Sequence, residues 1–392
     1  MKDKFFLTKI ACYVGFSVQA IVNNFLPILF VVLQTKYHLS YEQLARLIVI
    51  NFGTQIITDI LSPRMLKILG YRKSACLSQG MAALGLVLLG ILPTIISPYF
   101  AISVSAVIYA VGSGFMEVML SPIVEHLPSD NKTGNMCITH SFYCWGQAFT
   151  IIGTTVLVKL FGFEGWNYIP LIWAIIPFIN FFSFIKVPIV QPPKDVKLAS
   201  FKELFSRRQF RGYMVMMLCA GACEISMAQW ASLFAQEALG VNKAVGDLAG
   251  PCAFALCMAS ARVFYGINAN KISFRKVLMV LSVFAFVCYM GVAVISNAAV
   301  SLILCALCGF AVSVFWPGIY AAAAKDFPDG GIIMYGTFAM CGDIGCSLGP
   351  WLLGIAADAV NLNFGFGVVA VFAVIMFFTA AFTLKNIAKS EK

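Results

Sequence analysis

Three acidic residues stand deep inside long apolar runs of the sequence: Glu117, Glu224 and Asp343. A carboxyl group is costly to bury there, and it can bind and release a proton. We therefore predict these three as proton-coupling residues. For Glu117 the alternative is a carboxyl hydrogen-bonded into a helix interface, and for Asp343 a carboxyl bonded to backbone exposed at a neighbouring glycine.

Amide side chains are the second chemical group in these runs. With one histidine and one tryptophan, the predicted substrate-binding residues are Asn23, Asn24, Asn51, Gln55, His140, Gln147, Gln229 and Trp230. Amides carry donors and acceptors without charge, which suits a neutral polyhydroxyl ligand, and an indole ring can stack on the C–H face of a sugar. The alternative is that these residues only join or pack helices.

Four charged residues are candidates for a gate on the cytoplasmic side. Asp59 and Arg262 occupy corresponding positions in the second and eighth apolar runs, and Arg72 and Lys73 lie in a basic turn. Such charges can hold a transport protein closed by pairing with one another. Local pairing with loop charges such as Arg64 is the alternative.

The chain that carries these residues is strongly apolar. Of its 392 residues, 60% are hydrophobic and 11% are charged, and the mean hydropathy is +0.89. Soluble domains carry about 25% charged residues, so soluble, disordered and fibrous classes are excluded. The net charge of +10 does not indicate a nucleic-acid partner, because the Lys and Arg residues form short clusters between apolar runs. We predict an integral membrane protein.

A bilayer crossing needs about 20 apolar residues. By that measure the sequence predicts twelve spans, at 5–33, 43–66, 75–95, 99–126, 134–160, 167–187, 211–236, 244–268, 277–296, 299–324, 333–356 and 364–385. We expect a six-helix bundle at 1–187, a cytoplasmic linker at 188–210 and a second six-helix bundle at 211–392. Most Lys and Arg residues fall on one side of this topology, which places both termini in the cytoplasm of a cell inner membrane.

No cofactor or metal is expected. The 13 cysteines lie mostly inside apolar runs, where thiols act as small hydrophobes. Cys305 and Cys308 form a CxxC pair without a second pair. The sequence also contains no Ser-His-Asp set and no phosphate-cradling glycine loop, so an enzyme, a receptor or a nucleotide-driven pump ranks behind a carrier.

The two halves repeat one another. The matching segments are Leu69–Lys73 with Ile272–Lys276, Gly114 and Pro122 with Gly309 and Pro317, and Ser141-Phe142 with Thr337-Phe338. The glycines at 146 and 153 match those at 342 and 349. Parallel six-helix repeats are typical of one transporter architecture, whose substrate site lies near the membrane midplane.

On these features the chain resembles the major facilitator superfamily. Gly70-Tyr71-Arg72-Lys73 matches the end of the family signature, whereas Pro63 and Lys67 replace its first Gly and its Asp. Thr139–Phe142, and Gly221–Glu224 followed by Trp230, are similar to segments of the fucose-permease-like sugar symporters. That resemblance implies a proton-coupling role for Glu117. The span-1 acid of those symporters has only Asn23 and Asn24 in its place.

We therefore expect a proton-coupled carrier of a small polar solute, foremost a monosaccharide, working as a monomer by alternating access. Its partners would be the substrate, protons and membrane lipids. A proton-coupled exporter of cationic or amphipathic compounds is the alternative. An organic-anion carrier ranks last among transporters, because it should have a mid-depth Arg or Lys, and Arg262, the only candidate, lies nearer the cytoplasmic end of its span.

Overall fold

The computed structural model describes residues 5–39, 41–190 and 198–384, and within them it is helical without β-strands. Residues 191–197 of the predicted linker lie outside the described residues. The helices are α1 (Phe6–Ile28), α2 (Phe30–Tyr37), α3 (Tyr41–Ile91), α4 (Pro98–Glu125), α5 (Lys132–Phe161), α6 (Tyr168–Lys186), α7 (Phe201–Ser206), α8 (Arg208–Glu237), α9 (Lys243–Asp247), α10 (Ala253–Asn268), α11 (Phe274–Val294), α12 (Ala298–Val312), α13 (Phe315–Asp326), α14 (Gly331–Ala359) and α15 (Leu362–Thr383).

Eleven segments of the described chain are long and apolar enough to cross a membrane. The sequence predicts twelve, and the difference lies in α3, where the spans predicted at 43–66 and 75–95 share one 51-residue helix. Straight, it would measure about 75 Å, more than twice the thickness of a bilayer core. The helical backbone is interrupted at Gly70, with φ 73° and ψ 166°.

Proline and asparagine mark other helix boundaries. Pro251 lies in a π-helical turn, Leu248–Cys252, that joins α9 to α10. Pro317 follows the break between α12 and α13. Asn297 and Asn361 cap the starts of α12 and α15, since their side chains accept from the N–H groups of Val300 and Phe364 at 3.1 and 2.8 Å. These bonds satisfy donors that a helix start otherwise leaves open.

The chain divides into two compact units. The first takes in the described residues of Met1–Pro128 and Phe142–Pro193, and the second takes in those of Ser129–Ser141 and Lys194–Lys392. The first turns of α5 therefore group with the second unit. The predicted division into bundles at 1–187 and 211–392 stays a prediction.

Inside the second unit, α5 begins in close contact with the end of α10. Asn131 Oδ1 accepts from the N–H of Gly134 at 2.7 Å, and Asn131 Nδ2 donates to Gly266 O at 3.0 Å. A Cβ atom at Gly134 would lie 2.2 Å from Gly266 O, so the two backbones touch directly. Small residues commonly permit such approaches between membrane helices.

Gly70 allows a test of the α3 interruption. Its φ and ψ are essentially restricted to glycine, so Gly70→Ala should lower the free energy of unfolding by about 1–3 kcal/mol. The measurement is the thermal unfolding midpoint of the purified protein. Gly53→Ala is the matched control, because Gly53 lies within helical α3 and a Cβ there meets no atom within 4 Å. Equal midpoints for both variants would contradict the strained conformation at Gly70.

Candidate functional site

A cluster of uncharged polar side chains lies buried in the first unit. Asn23 Oδ1 of α1 accepts from Gln55 Nε2 at 3.1 Å and from Asn51 Nδ2 at 3.3 Å, both in α3. Ser113 Oγ of α4 lies 3.2 Å from the same oxygen and donates to Gln55 Oε1 at 2.8 Å. Among the described residues, no donor reaches the buried Asn51 Oδ1. The structure thus brings three predicted substrate-binding residues together and adds Ser113.

Glu117 lies buried on α4, one turn beyond Ser113. Gln19 Nε2 of α1 donates to its Oε2 at 2.7 Å. Gln19 and Asn23 stand four residues apart, and therefore on one face of α1. On that face Gln19 contacts the Glu117 carboxyl group, and one turn later Asn23 belongs to the uncharged cluster.

Asn24 and Gln147, the other predicted binding residues of the first unit, have different surroundings. Asn24 Nδ2 donates to Ala20 O of its own helix at 2.9 Å and lies 3.4 Å from Tyr143 Oη. Gln147 is buried in α5. The contacts of Asn24 match the joining of helices that was the alternative interpretation of the amides.

Arg72 donates to main-chain carbonyls at the end of α6. Its Nη1 lies 3.0 Å from Phe184 O and also bonds Ile185 O. In the second unit its repeat partner Arg275 donates to Ala381 O at 2.9 Å, in the last turn of α15. Both arginines therefore satisfy carbonyls that a helix end leaves open.

The remaining predicted gating residues of the first unit differ in exposure. Asp59 is fully buried in α3, and Lys73 is exposed. The contacts of Arg72 give it a structural role within the first unit. A gate formed by these residues stays a prediction.

The second unit contains a buried ion pair between α10 and α8. Arg262 Nη2 lies 2.9 Å from Glu224 Oε2, and the two side chains are 2% and 8% exposed. From the sequence, Arg262 is predicted as a gating residue and Glu224 as a proton-coupling residue. The structure joins them, so protonation of Glu224 would leave a buried guanidinium without its counterion.

A main-chain carbonyl at the α12–α13 break takes a second bond from Arg262. Its Nε donates to Ser313 O at 2.7 Å. In an unbroken helix this carbonyl would accept from the residue four positions later, which is Pro317 and has no N–H. The proline therefore leaves an acceptor that Arg262 fills.

A third bond ties Arg262 to α5. Its Nη1 donates to His140 O at 3.0 Å. The His140 ring is buried, with its centroid 5.9 Å from that of Tyr320 in α13. The histidine predicted to bind substrate is thus part of the surroundings of the ion pair.

Asp343 lies buried in α14, one residue from a close packing point. A Cβ atom at Gly342 would lie 2.1 Å from the ring of Trp316, and a Cβ at Gly221 would lie 2.1 Å from Gly342 O. Trp316 is half-buried. Within the described chain, Asp343 Oδ2 has no hydrogen-bond partner. A buried carboxyl oxygen without a donor is a candidate for carrying a proton.

Gln229 and Trp230, in the C-terminal part of α8, are both half-buried. The Trp230 ring packs on α14, since a Cβ at Gly354 would lie 3.2 Å from Cζ2. This contact fits the packing interpretation of Trp230 and leaves part of the ring accessible.

All thirteen cysteines are free thiols. Within the described residues, no group of three or more His, Cys, Asp or Glu side chains is arranged to hold a metal ion. Cys305 and Cys308 are both buried in α12. The buried polar side chains described above carry carboxyl, guanidinium, amide, imidazole and hydroxyl groups.

A family model described as Major Facilitator Superfamily matches residues 11–350 and 252–392. The chain belongs to this superfamily. The protein is accordingly a multi-pass membrane transporter and not an enzyme, as expected from the sequence. No curated protein matches the sequence.

Solved transporters share the fold of this superfamily member. A structure of the transporter FucP in the outward conformation has a TM-score of 0.80 and 18% identity, covering 97% of this chain and 99% of that chain. A point variant of the E. coli fucose:proton symporter FucP gives 0.78 and 18%, with the same coverage. The proton:xylose symporter XylE bound to 6-bromo-6-deoxy-D-glucose gives 0.80 and 11%, covering 98% and 96%.

Several residues of this transporter's polar interior escaped the sequence analysis. Ser113 and Trp316 carried no signal that separated them from other span residues. Gln19 lies four residues before Asn23 and therefore on the same face of α1, and this spacing is the signal that could have identified it. A proline leaves the carbonyl four residues earlier without its helical donor, so Pro317 marks Ser313 O as an available acceptor. Its partner Arg262 could be found only from the structure.

The ion pair yields a stability prediction. Glu224→Leu or Arg262→Met alone should cost about 3–5 kcal/mol, because each leaves one buried charge without a partner. The double variant should cost less than the two single variants together. The measurement is a double-mutant cycle on the unfolding of the purified transporter.

The exposed pair Lys36–Glu164 is the matched control. Its N–O distance is 2.6 Å, but the two side chains are 25% and 90% exposed. Lys36→Met and Glu164→Gln should each change stability by about 1 kcal/mol or less. Strict additivity at Arg262 and Glu224 would contradict their coupling.

Proposed function

We propose that this transporter carries a neutral polyhydroxyl solute, foremost a monosaccharide, together with protons, by alternating access. The uncharged cluster of Asn23, Asn51, Gln55 and Ser113 supports the proposal most directly. It combines donors and acceptors without net charge, and the buried Asn51 Oδ1 lacks a donor within the described chain. A sugar hydroxyl is a donor of the right kind for that oxygen.

The charges of the second unit support a neutral substrate in another way. Arg262 is neutralised by Glu224 and also bonded to two carbonyls. Binding an organic anion there would first require this pair to separate. An anionic substrate is therefore disfavoured.

We assign proton coupling to Glu117 and Asp343 first, and to Glu224 through its pair. Glu117 keeps an amide partner in Gln19 whether or not it carries a proton, because an amide both donates and accepts. Asp343 can hold a proton without disturbing an ion pair. Protonation of Glu224, by contrast, would weaken the bonds that hold Arg262 to α8.

We also propose that Gly70 divides α3 into two crossings, which gives twelve in all. Both termini would then lie in the cytoplasm, in an inner membrane, as the distribution of Lys and Arg favours. The monomer would be the working unit. Fold similarity to FucP and XylE, at 11–18% identity, supports the architecture and leaves the substrate to experiment.

Export of lipophilic cations is the second candidate function. It is favoured by Asp343, a buried acid, one residue from the point where the half-buried Trp316 packs on Gly342. A cation can pair with such a carboxylate and stack on an indole face. Ligand binding separates the two functions.

The first test is thermal stabilisation of the purified transporter by sugars, organic cations and organic anions at acidic and neutral pH. A ligand at about 100 times its Kd stabilises the folded state by about 2.7 kcal/mol. We expect stabilisation by one or a few sugars, larger at acidic pH. Stabilisation only by lipophilic cations, larger at neutral pH, would replace symport by export.

Ser113→Ala tests the uncharged cluster with the same ligands. Loss of one hydroxyl donor, worth about 1 kcal/mol, should weaken sugar binding about fivefold. Ser105→Ala is the control, because Ser105 is buried in the same helix but bonds Ala101 O at 2.8 Å. Equal affinities for both variants would exclude the cluster as the binding site.

Glu117→Gln tests coupling in proteoliposomes. The variant keeps a partner for Gln19 but cannot exchange a proton, so proton-driven accumulation should fall to background while exchange of substrate for substrate persists. Asp343→Asn should behave in the same way. Glu164→Gln, the same change at an exposed carboxylate, should leave both activities intact.

Loss of both activities in Glu117→Gln would indicate a structural or binding role for that residue. Retention of both would remove it from the coupling mechanism. An effect confined to Asp343→Asn would assign coupling to the second unit alone.

A further inference from the structure

The short helix α7 exposes an apolar face beside the first residue of a spanning helix. Leu198, Phe201 and Phe205 are 49%, 47% and 45% exposed, and the two phenylalanine rings stack with centroids 5.7 Å apart. Leu204, in the same short helix, is fully buried. Two stacked aromatic rings facing outward are costly in water, so this face needs an apolar environment.

The helix is held in place by the second unit. A helix of six residues is not stable alone. Ser200 and Glu203 form a capping box at its start, and Ala199 N donates to Asp329 O at 2.9 Å. Arg207 makes a bidentate ion pair with Asp329, with Nη1 2.8 Å from Oδ1.

The ion pair with Arg207 also keeps the Asp329 carboxyl ionised. The hydrogen bonds of Arg207 lower the pKa of the Asp329 carboxyl, which therefore stays ionised well below neutral pH. The turn between α13 and α14 thus anchors the segment 198–211 at all physiological pH values.

The charge around the exposed face is positive. Lys202, Arg208 and Arg211 are exposed, and the Arg211 guanidinium lies 5.9 Å from the centroid of the Phe205 ring. Three nearby acids are bonded within the second unit, because Glu203 accepts from Ser200, Asp329 is paired with Arg207 and Asp326 accepts from Gln209. The face therefore combines stacked aromatic rings with exposed cations.

We propose that the segment 198–211 is a membrane-surface anchor that binds anionic phospholipid headgroups. Arg208 begins α8, one of the spanning helices, so chain continuity places α7 at the membrane surface. Aromatic side chains bury at the headgroup boundary, while Lys and Arg side chains near the membrane surface attract anionic lipids. The anchor is independent of the substrate that the transporter carries.

Hydrogen exchange of the full-length transporter in nanodiscs tests this anchor. The discs contain phosphatidylcholine alone or phosphatidylcholine with phosphatidylglycerol. We expect the backbone amides of 198–211 to exchange about tenfold more slowly in the anionic discs, and the difference to shrink at high salt. Equal exchange in both lipids would overturn the proposal.

Two double variants test whether the basic residues of the segment are responsible for the lipid dependence. Lys202→Gln with Arg208→Gln should remove most of the lipid-dependent protection. Lys271→Gln, before α11, with Lys276→Gln, in the first turn of α11, removes the same charge and should leave protection unchanged. Protection that both double variants lose equally would reflect net charge and contradict a specific anchor.

The apolar contribution has its own test. Phe201→Ser with Phe205→Ser should weaken protection in the anionic discs by about tenfold. Free glycerol phosphate, which carries the anion without acyl chains, should not protect the wild-type segment. Protection by glycerol phosphate equal to that by lipid would identify a soluble-anion site and overturn the membrane anchor.

Discussion

A guanidinium buried in a membrane protein must have its donors matched, and the second unit is organised around that requirement at Arg262. Glu224 supplies the counterion from α8, Ser313 O supplies an acceptor at the α12–α13 break, and His140 O supplies one from α5. Because an unmatched charge in this environment costs several kcal/mol, three elements must approach α10 at fixed distances. The glycine contact between Gly134 and Gly266 brings α5 close enough to take part.

In the first unit, amide and hydroxyl side chains make most of the buried hydrogen bonds described above. Asp59 stands at the repeat position of Arg262, and the amides of α1 and α3 meet Ser113 and Glu117 of α4. The helix ends, by contrast, are treated alike in both units, since Arg72 and Arg275 donate to the last carbonyls of α6 and α15. The repeated scaffold has therefore kept its terminal contacts while its interior chemistry diverged, with amides gathered in one unit and a buried ion pair in the other.

Sequence reasoning was strongest where local chemistry decides the outcome. Apolar run length predicted the spanning helices closely, and superfamily membership followed from the repeat and the basic turn. It divided α3 because Gly70 and its basic neighbours were interpreted as a loop, whereas the helix resumes directly after one residue with positive φ. In the site, Asn23, Asn51 and Gln55 were among eight predicted substrate-binding residues, but the partners of Arg262 were not predicted. Those partners lie 38, 51 and 122 positions away, and no spacing rule reaches across separate helices.

Pro317 and Arg262 have a consequence for how this sequence can change over generations. The proline has no N–H to donate, and the arginine donates to the carbonyl of Ser313 in its place. A lineage that lost Arg262 while keeping Pro317 would bury the Ser313 carbonyl without this donor and the Glu224 carboxylate without its counterion. A lineage that first lost the proline would regain the N–H and relax one of the demands on Arg262. Loss of Pro317 before Arg262 is therefore easier than loss in the reverse order, so the proline makes Arg262 harder to replace.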